Sequence, residues 1–169
     1  MASGRSHDRA TVVLALPLGL LIGLWQTPWL GLVAMAGFLV GGLWLSPDLD
    51  TRSRPTRRWG ALALLWWPYR RLVRHRGWLS HTPLLGTATR LMVLSLWLLL
   101  LLTPLQWAGV ITLNQGWSQL QQLWRHHEAA LITLLLALEA SAWLHLIQDG
   151  DPMPPLRAGD RFENEQRHR

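Results

Sequence analysis

No charged side chain occurs between Ala10 and Pro47, a run of 38 residues. A membrane-crossing helix needs roughly 17–25 predominantly apolar residues, so this run has the length of two. Gln26-Thr27-Pro28 divides it, because Pro28 cannot continue a helix and disfavours one at the residue before it. Two antiparallel spans are therefore predicted, over Ala10–Trp25 and Trp29–Leu45. A second uncharged stretch, Leu91 to Trp124, contains the apolar block Leu91–Leu102. It predicts one crossing over about Ala88–Gly109, followed by a polar loop rich in Gln. A last span is expected over about His127–Gln148, interrupted by Glu139. Helices apolar on every side need a membrane or a large core, and 169 residues cannot enclose four of them. A signal peptide is the rival for the N-terminus, with Ala34-Met35-Ala36 as a cleavage site. Apolar sequence continuing to Leu45 argues against it.

The mean hydropathy of +0.14 conceals this, because charge and apolarity are segregated along the chain. All 16 basic residues are Arg, and Lys and Cys are both absent. Without Cys there is no disulfide framework, thiolate metal site or cysteine nucleophile. Hydrophobic residues make up 50% of the chain, which excludes intrinsic disorder. Of the 12 Trp, only Trp97 and Trp143 fall mid-span, and the rest cluster near the span boundaries as an aromatic belt. Fifteen of the 16 Arg lie on one side of the predicted spans, with Arg125 alone on the other. The positive-inside rule makes that side cytoplasmic and puts both termini there.

The expected fold class is all-α: a polytopic membrane protein with four transmembrane helices plus a short interfacial or re-entrant helix near residues 57–67. Trp59–Trp67 is apolar but too short to cross, and Arg57, Arg58, Arg70, Arg71, Arg74 and Arg76 flank it at phosphate depth. Residues 1–150 form one membrane-embedded domain in this reading, and residues 151–169 a polar tail. The G-x-x-x-G spacings Gly19–Gly23 and Gly37–Gly41 predict close helix packing within the first hairpin. The partners expected are the bilayer and anionic lipid headgroups, in a bacterial inner or internal membrane, with no nucleic acid.

Four His and five Asp from separate parts of the sequence converge on the cytoplasmic face: His7, His75, His81, His145, Asp8, Asp48, Asp50, Asp149 and Asp151. His126, His127 and His168 read as solvated surface. His145-Leu-Ile-Gln-Asp149 places two ligand types at i and i+4, on one face of a helix. Asp48 and Asp50 end the second span, and in an extended segment i and i+2 share a side. His75-Arg-Gly-Trp-Leu-Ser-His81 adds two imidazoles around a glycine that permits a sharp turn. With no thiolate available, a His and Asp set suits one or two divalent ions, zinc foremost, or manganese or iron. Glu139, about 120° around the helix from His145, is expected to be a protonated or hydrogen-bonded packing residue.

The motifs are ordered: an N-terminal His, then S-P-D-L-D, then H-R-G-W-L-S-H, then H-L-I-Q-D. This order resembles the YdjM-like family of predicted membrane-bound metal-dependent hydrolases. It is closer to a sister group described as uncharacterised metal-binding membrane proteins, which shares the opening Gly4–Arg9, Gly42–Asp50 and His75–His81. The resemblance covers most of residues 4–150. It implies His7, Asp48, Asp50, His75, His81, His145 and Asp149 as metal ligands. It also implies a metal-dependent hydrolase of a membrane-associated phosphoester, or alternatively a non-catalytic, metal-stabilised assembly or regulatory factor. In the hydrolase reading Asp50 and His81 serve proton transfer, and Arg74 or Arg76 faces the substrate phosphate.

The topology is directly testable because Cys is absent. Single replacements Thr27→Cys and Gly116→Cys should react with an impermeant thiol reagent in intact cells. Arg54→Cys and Glu165→Cys should react only after the cells are opened, and outside labelling of position 54 would reverse the orientation.

Overall fold

The computed structural model describes residues 3–150, and within them the regular structure is helical. The predicted tail over residues 151–169, with Asp151 and His168, lies outside the described residues. Four helices are long and apolar enough to cross a membrane. They are α1 (Gly4–Trp25), α2 (Pro28–Leu43, reaching membrane-crossing length with the turn that carries it on to Asp50), α5 (Leu85–Trp107) and α6 (Leu113–Gln148), with α3 (Arg54–Arg58) and α4 (Trp67–Leu72) between α2 and α5.

Local chemistry sets the boundaries. The side chain of Ser3 accepts from Ser6 N–H and caps α1. Thr27 does the same for Leu30 N–H, with Pro28 preset at the first helical position of α2. The sequence predicts a Gln-rich loop between Gly109 and His127, but this stretch is the outer part of α6. Thr112 and Gln115 form a reciprocal capping box that satisfies two orphan N–H groups, and the Gln and Leu that follow favour a helix. The predicted start of the last span survives as a kink at His127, where φ is −129° and ψ is 23°.

The segment expected as one helix near 57–67 is broken into three. Pro55 opens α3, Gly60 leaves the right-handed region at φ +54°, Gly60–Trp66 winds as a 3₁₀ helix, and Pro68 opens α4. The Trp97 indole donates to the Leu65 carbonyl at 2.8 Å. Trp97 lies twelve residues past Leu85, so the segment reaches about 18 Å along α5. Trp66, Leu49 and Tyr69 form a buried apolar cluster, against which Val93 and Leu94 of α5 pack.

Glycines let α1, α2 and α6 approach closely. A Cβ on Gly31 would strike the Gly19 carbonyl oxygen and would lie 2.7 Å from Gly23 Cα. Gly37 and Gly41, expected inside the first hairpin, instead face α6 at Leu134, Ala137, Leu138 and Ser141. Six residues advance the helix by about 240°, so Gly37 cannot share the face of Gly31. Gly42, about three full turns from Gly31, returns to α1 and meets Thr11.

Gly31→Ala should destabilise the protein by about 1–3 kcal/mol, since its methyl meets backbone that cannot swing aside. Gly116→Ala, whose added methyl would meet nothing within 4 Å, should leave stability unchanged or slightly higher. Thermal unfolding in detergent compares the two.

Candidate metal centre

The start of α1, the end of α2 and the end of α6 meet at one end of the bundle. His7 on α1 and Asp149 after α6 approach to 3.3 Å, and His145 lies 3.3 Å from Ser46 just past α2. Residues 73–84 fold over that end. Gly77 N–H donates to the Arg74 carbonyl, Ser80 Oγ donates to the same carbonyl at 3.1 Å, and Tyr69 donates to the Leu79 carbonyl. Arg90, fully buried, donates to the Ser80 carbonyl and to Thr87 Oγ1, fixing this loop from beneath.

All seven ligand candidates named from sequence fall into three overlapping triads whose ligand atoms lie within 4.8 Å of one another. The triads are His7, His145 and Asp149; Asp48, His81 and His145; and Asp50, His75 and His81. The two aspartates do not share a side, as the extended reading expected. Pro47–Asp50 is a 3₁₀ turn, in which i and i+2 diverge by about 240°. Asp48 therefore faces His145 and one nitrogen of His81, while Asp50 faces the other nitrogen of His81 and His75.

Hydrogen bonding fixes which nitrogen is free. Ser80 Oγ gives its proton to a carbonyl, so it accepts from His81 Nδ1 at 3.0 Å, with Asp50 Oδ2 also near that nitrogen at 3.4 Å. His7 Nδ1 donates to Gln148 Oε1 at 2.7 Å, and His145 Nδ1 and Ser46 Oγ share a hydrogen bond of 3.3 Å. All three Nε2 atoms then point at carboxylates: His7 at Asp149 (3.3 Å), His81 at Asp48 (3.7 Å), and His145 at Asp48 (3.5 Å) and Asp149 (3.8 Å). The rings of His7 and His145 stack with centroids 3.9 Å apart.

The donor set fits a divalent cation. His81 Nε2 and His145 Nε2 are buried without any hydrogen-bond partner, as is Asp50 Oδ2. Hydrogen bonds would draw these atoms to about 2.7–3.2 Å. A tetrahedral ion with bonds of about 2.1 Å instead separates its ligands by roughly 3.4 Å. The 3.5 and 3.7 Å spacings around Asp48 Oδ1 match the second arrangement. Asp50 behind His81 completes the carboxylate–histidine pairing that orients a metal-binding imidazole.

Burial by itself pulls the His81 pKa down. The hydrogen bonds and negative charges of Asp48 and Asp50 outweigh it and leave the imidazole above its ordinary value. The position demands a cation, and a proton or a metal ion meets the demand.

Other sequence candidates are placed as follows. Arg76, at positive φ, donates to Asp149 at 3.3 Å, at the edge of the cluster. The Arg74 side chain is exposed, and its carbonyl holds the turn. Asp8 pairs with Arg54 at 2.8 Å and Arg58 at 2.6 Å, tying α1 to α3. Glu139 is a hydrogen-bonded packing group that accepts from Leu84 N–H at 2.8 Å, where α5 begins at φ +62°. His126 and His127 are exposed on the outer part of α6. Ser46, Ser80 and Gln148 were missed from sequence, although each precedes a ligand within a recognised motif.

No solved structure matches the chain. A protein of Aquifex aeolicus (strain VF5), named only "Uncharacterized protein", is 48% identical over 59 residues. That match covers 34% of this chain and 41% of the Aquifex protein, so the chain spans under half the length of that relative. Residues 2–154 match the family model described as "Uncharacterized metal-binding protein (DUF2227)", and the chain belongs to that metal-binding family.

Proposed function

We propose that the chain is an integral membrane protein, both termini cytoplasmic, that holds a divalent ion at the cytoplasmic boundary and hydrolyses a phosphoester carried by a membrane amphiphile. The observation that carries this reading is the pair of buried, unpartnered imidazole nitrogens, His81 Nε2 and His145 Nε2, converging on one oxygen of Asp48. Four helices of membrane-crossing length and the one-sided Arg distribution support the membrane half.

Asp48, His81 and His145 would hold the ion, with His7 and Asp149 completing its shell or holding a second one beside it. A divalent ion bound there, zinc or manganese, would supply Lewis acidity. The chain's own residues do the rest. Both His81 nitrogens face carboxylates, so proton transfer falls to Asp50 together with His75. Their atoms stand 3.0 Å apart, and the His75 side chain is 47% exposed, which lets it exchange protons with water. Arg76 beside Asp149 offsets negative charge at the rim of the cluster.

Burial favours a second reading. The relative exposures of His81 and His145 are only 1% and 4%, as in closed structural sites. A non-catalytic, metal-stabilised membrane protein would carry a fully coordinated ion with no exchangeable water.

Detergent-purified protein should contain at least one divalent ion per chain by elemental analysis, and Asp48→Ala with His145→Ala should abolish it. Metal must displace the His81 proton, so uptake should weaken as pH falls. The raised pKa sets the sign for the metal-free protein. The stability contributed by protonated His81 is full below about 6.5 and fades as pH rises through the folded value. The thermal shift produced by zinc should therefore grow from about pH 5.5 to about pH 8.

Protein loaded with zinc or manganese should cleave a phospholipid or prenyl phosphate, and a chelator should stop it. Asp48→Asn should lose at least about 100-fold in turnover with a much smaller loss of thermal stability. Absence of turnover together with a fully coordinated ion would leave the structural reading standing.

A further inference from the structure

A cavity of about 270 Å³ opens between the Pro47–Asp50 turn and α4. Its lining is Asp50, Thr51, Arg52, Trp67, Arg70 and Arg71. Of the other Arg near this end, Arg54 and Arg58 bind Asp8, Arg76 binds Asp149 and Arg90 binds the Ser80 carbonyl, while Arg5, Arg9, Arg57 and Arg74 have no carboxylate partner among the described residues but do not line this cavity. Among the described residues no carboxylate lies within ion-pair distance of Arg52, Arg70 or Arg71. Three guanidiniums thus border one cavity with a single acid, and that acid is already engaged by His75 at 3.0 Å and His81 at 3.4 Å.

We propose that this cavity is a binding subsite for the phosphate of a phosphorylated amphiphile, gripped by Arg52, Arg70 and Arg71. The planar fork of a guanidinium matches two phosphate oxygens, and two or three forks around one cavity select a doubly charged phosphate over a zwitterionic headgroup. The cavity is open to solvent, and about 270 Å³ is room enough for a headgroup. Exposed apolar side chains lie on the same stretch of polypeptide: Leu64 is 75% exposed, Trp67 60% and Leu72 82%. The Trp67 indole lines the cavity and is itself exposed, which suits the boundary between headgroup and apolar chain. The subsite differs from the sequence candidates, since Arg76 is paired with Asp149 and Arg74 does not line the cavity. Phosphate binding stands on the cavity alone, whereas its use as a substrate subsite rests on the hydrolase reading, through the shared wall at Asp50.

The test titrates the purified full chain in a zwitterionic detergent with short-chain phosphatidic acid, short-chain phosphatidylcholine and inorganic phosphate, by calorimetry. The metal content of every sample is measured alongside. Phosphatidic acid should bind about tenfold or more tightly than phosphatidylcholine, and Arg52→Gln/Arg70→Gln/Arg71→Gln should erase that preference while keeping its metal. A charge-matched control, Arg5→Gln/Arg9→Gln/Arg57→Gln, should keep the preference. Should the triple cavity variant not fold, Arg71→Gln alone, an exposed position, should weaken phosphatidic acid about threefold. Equal loss in the control would reduce the effect to net charge, and no preference in the parent would end the proposal. Inorganic phosphate binding as tightly as phosphatidic acid would overturn the amphiphile in favour of a soluble phosphate. A lipid preference without bound metal would sink the hydrolase reading and leave the subsite intact.

Discussion

His81 lies between two carboxylates with almost no access to water, and the rest of this end of the molecule is arranged around that fact. Ionisable groups taken out of water must be paired or neutralised. In a bundle whose long helices are almost free of charge, they can gather only at the helix ends. There the apolar cluster of Leu49, Trp66 and Tyr69 closes over one side, and the stacked rings of His7 and His145 close the other. Asp48, Asp50, His81, His145 and Asp149 each have two partners within the cluster, so removing one strands its neighbours. Single substitutions here should not be additive.

The four long helices were legible because lack of charge over a fixed length can be counted along the chain. The clustering of the candidate ligands was legible for a related reason. Where charged residues are few, those that remain near span ends stand out, and all seven candidates did come together. Features that depend on partners distant in sequence were not legible. The Asp48–Asp50 turn became a 3₁₀ helix instead of a strand, and this sends the two carboxylates to opposite nitrogens of one imidazole. The Gln-rich stretch read as a loop by polarity, but Thr112 and Gln115 nucleate a helix there. The spacing of Gly37 and Gly41 announced a close contact without saying which helix makes it. Ser46, Ser80 and Gln148 have no signature as site residues, since each only hydrogen-bonds the Nδ1 of an imidazole whose Nε2 faces a carboxylate.

The seven candidate ligands divide between two structural units, and the division bears on what an ion would do for the fold. His7, Asp48, Asp50, His145 and Asp149 come from the glycine-packed unit of α1, α2 and α6 or the turns attached to it. His75 and His81 come from the loop before α5, a helix that meets the rest mainly through α6 and the Leu49–Trp66–Tyr69 cluster. The loop is held by Arg90 under Ser80, by Tyr69 at Leu79, and by Glu139 at Leu84, where a leucine is kept at positive φ. An ion coordinated by Asp48, His81 and His145 would cross-link these units, so its binding energy would also be folding energy for α5. Catalytic and structural readings therefore converge on one physical statement. The same three side chains that would hold an ion would also decide how firmly the wall carrying His75, Arg76 and His81 is held against the bundle.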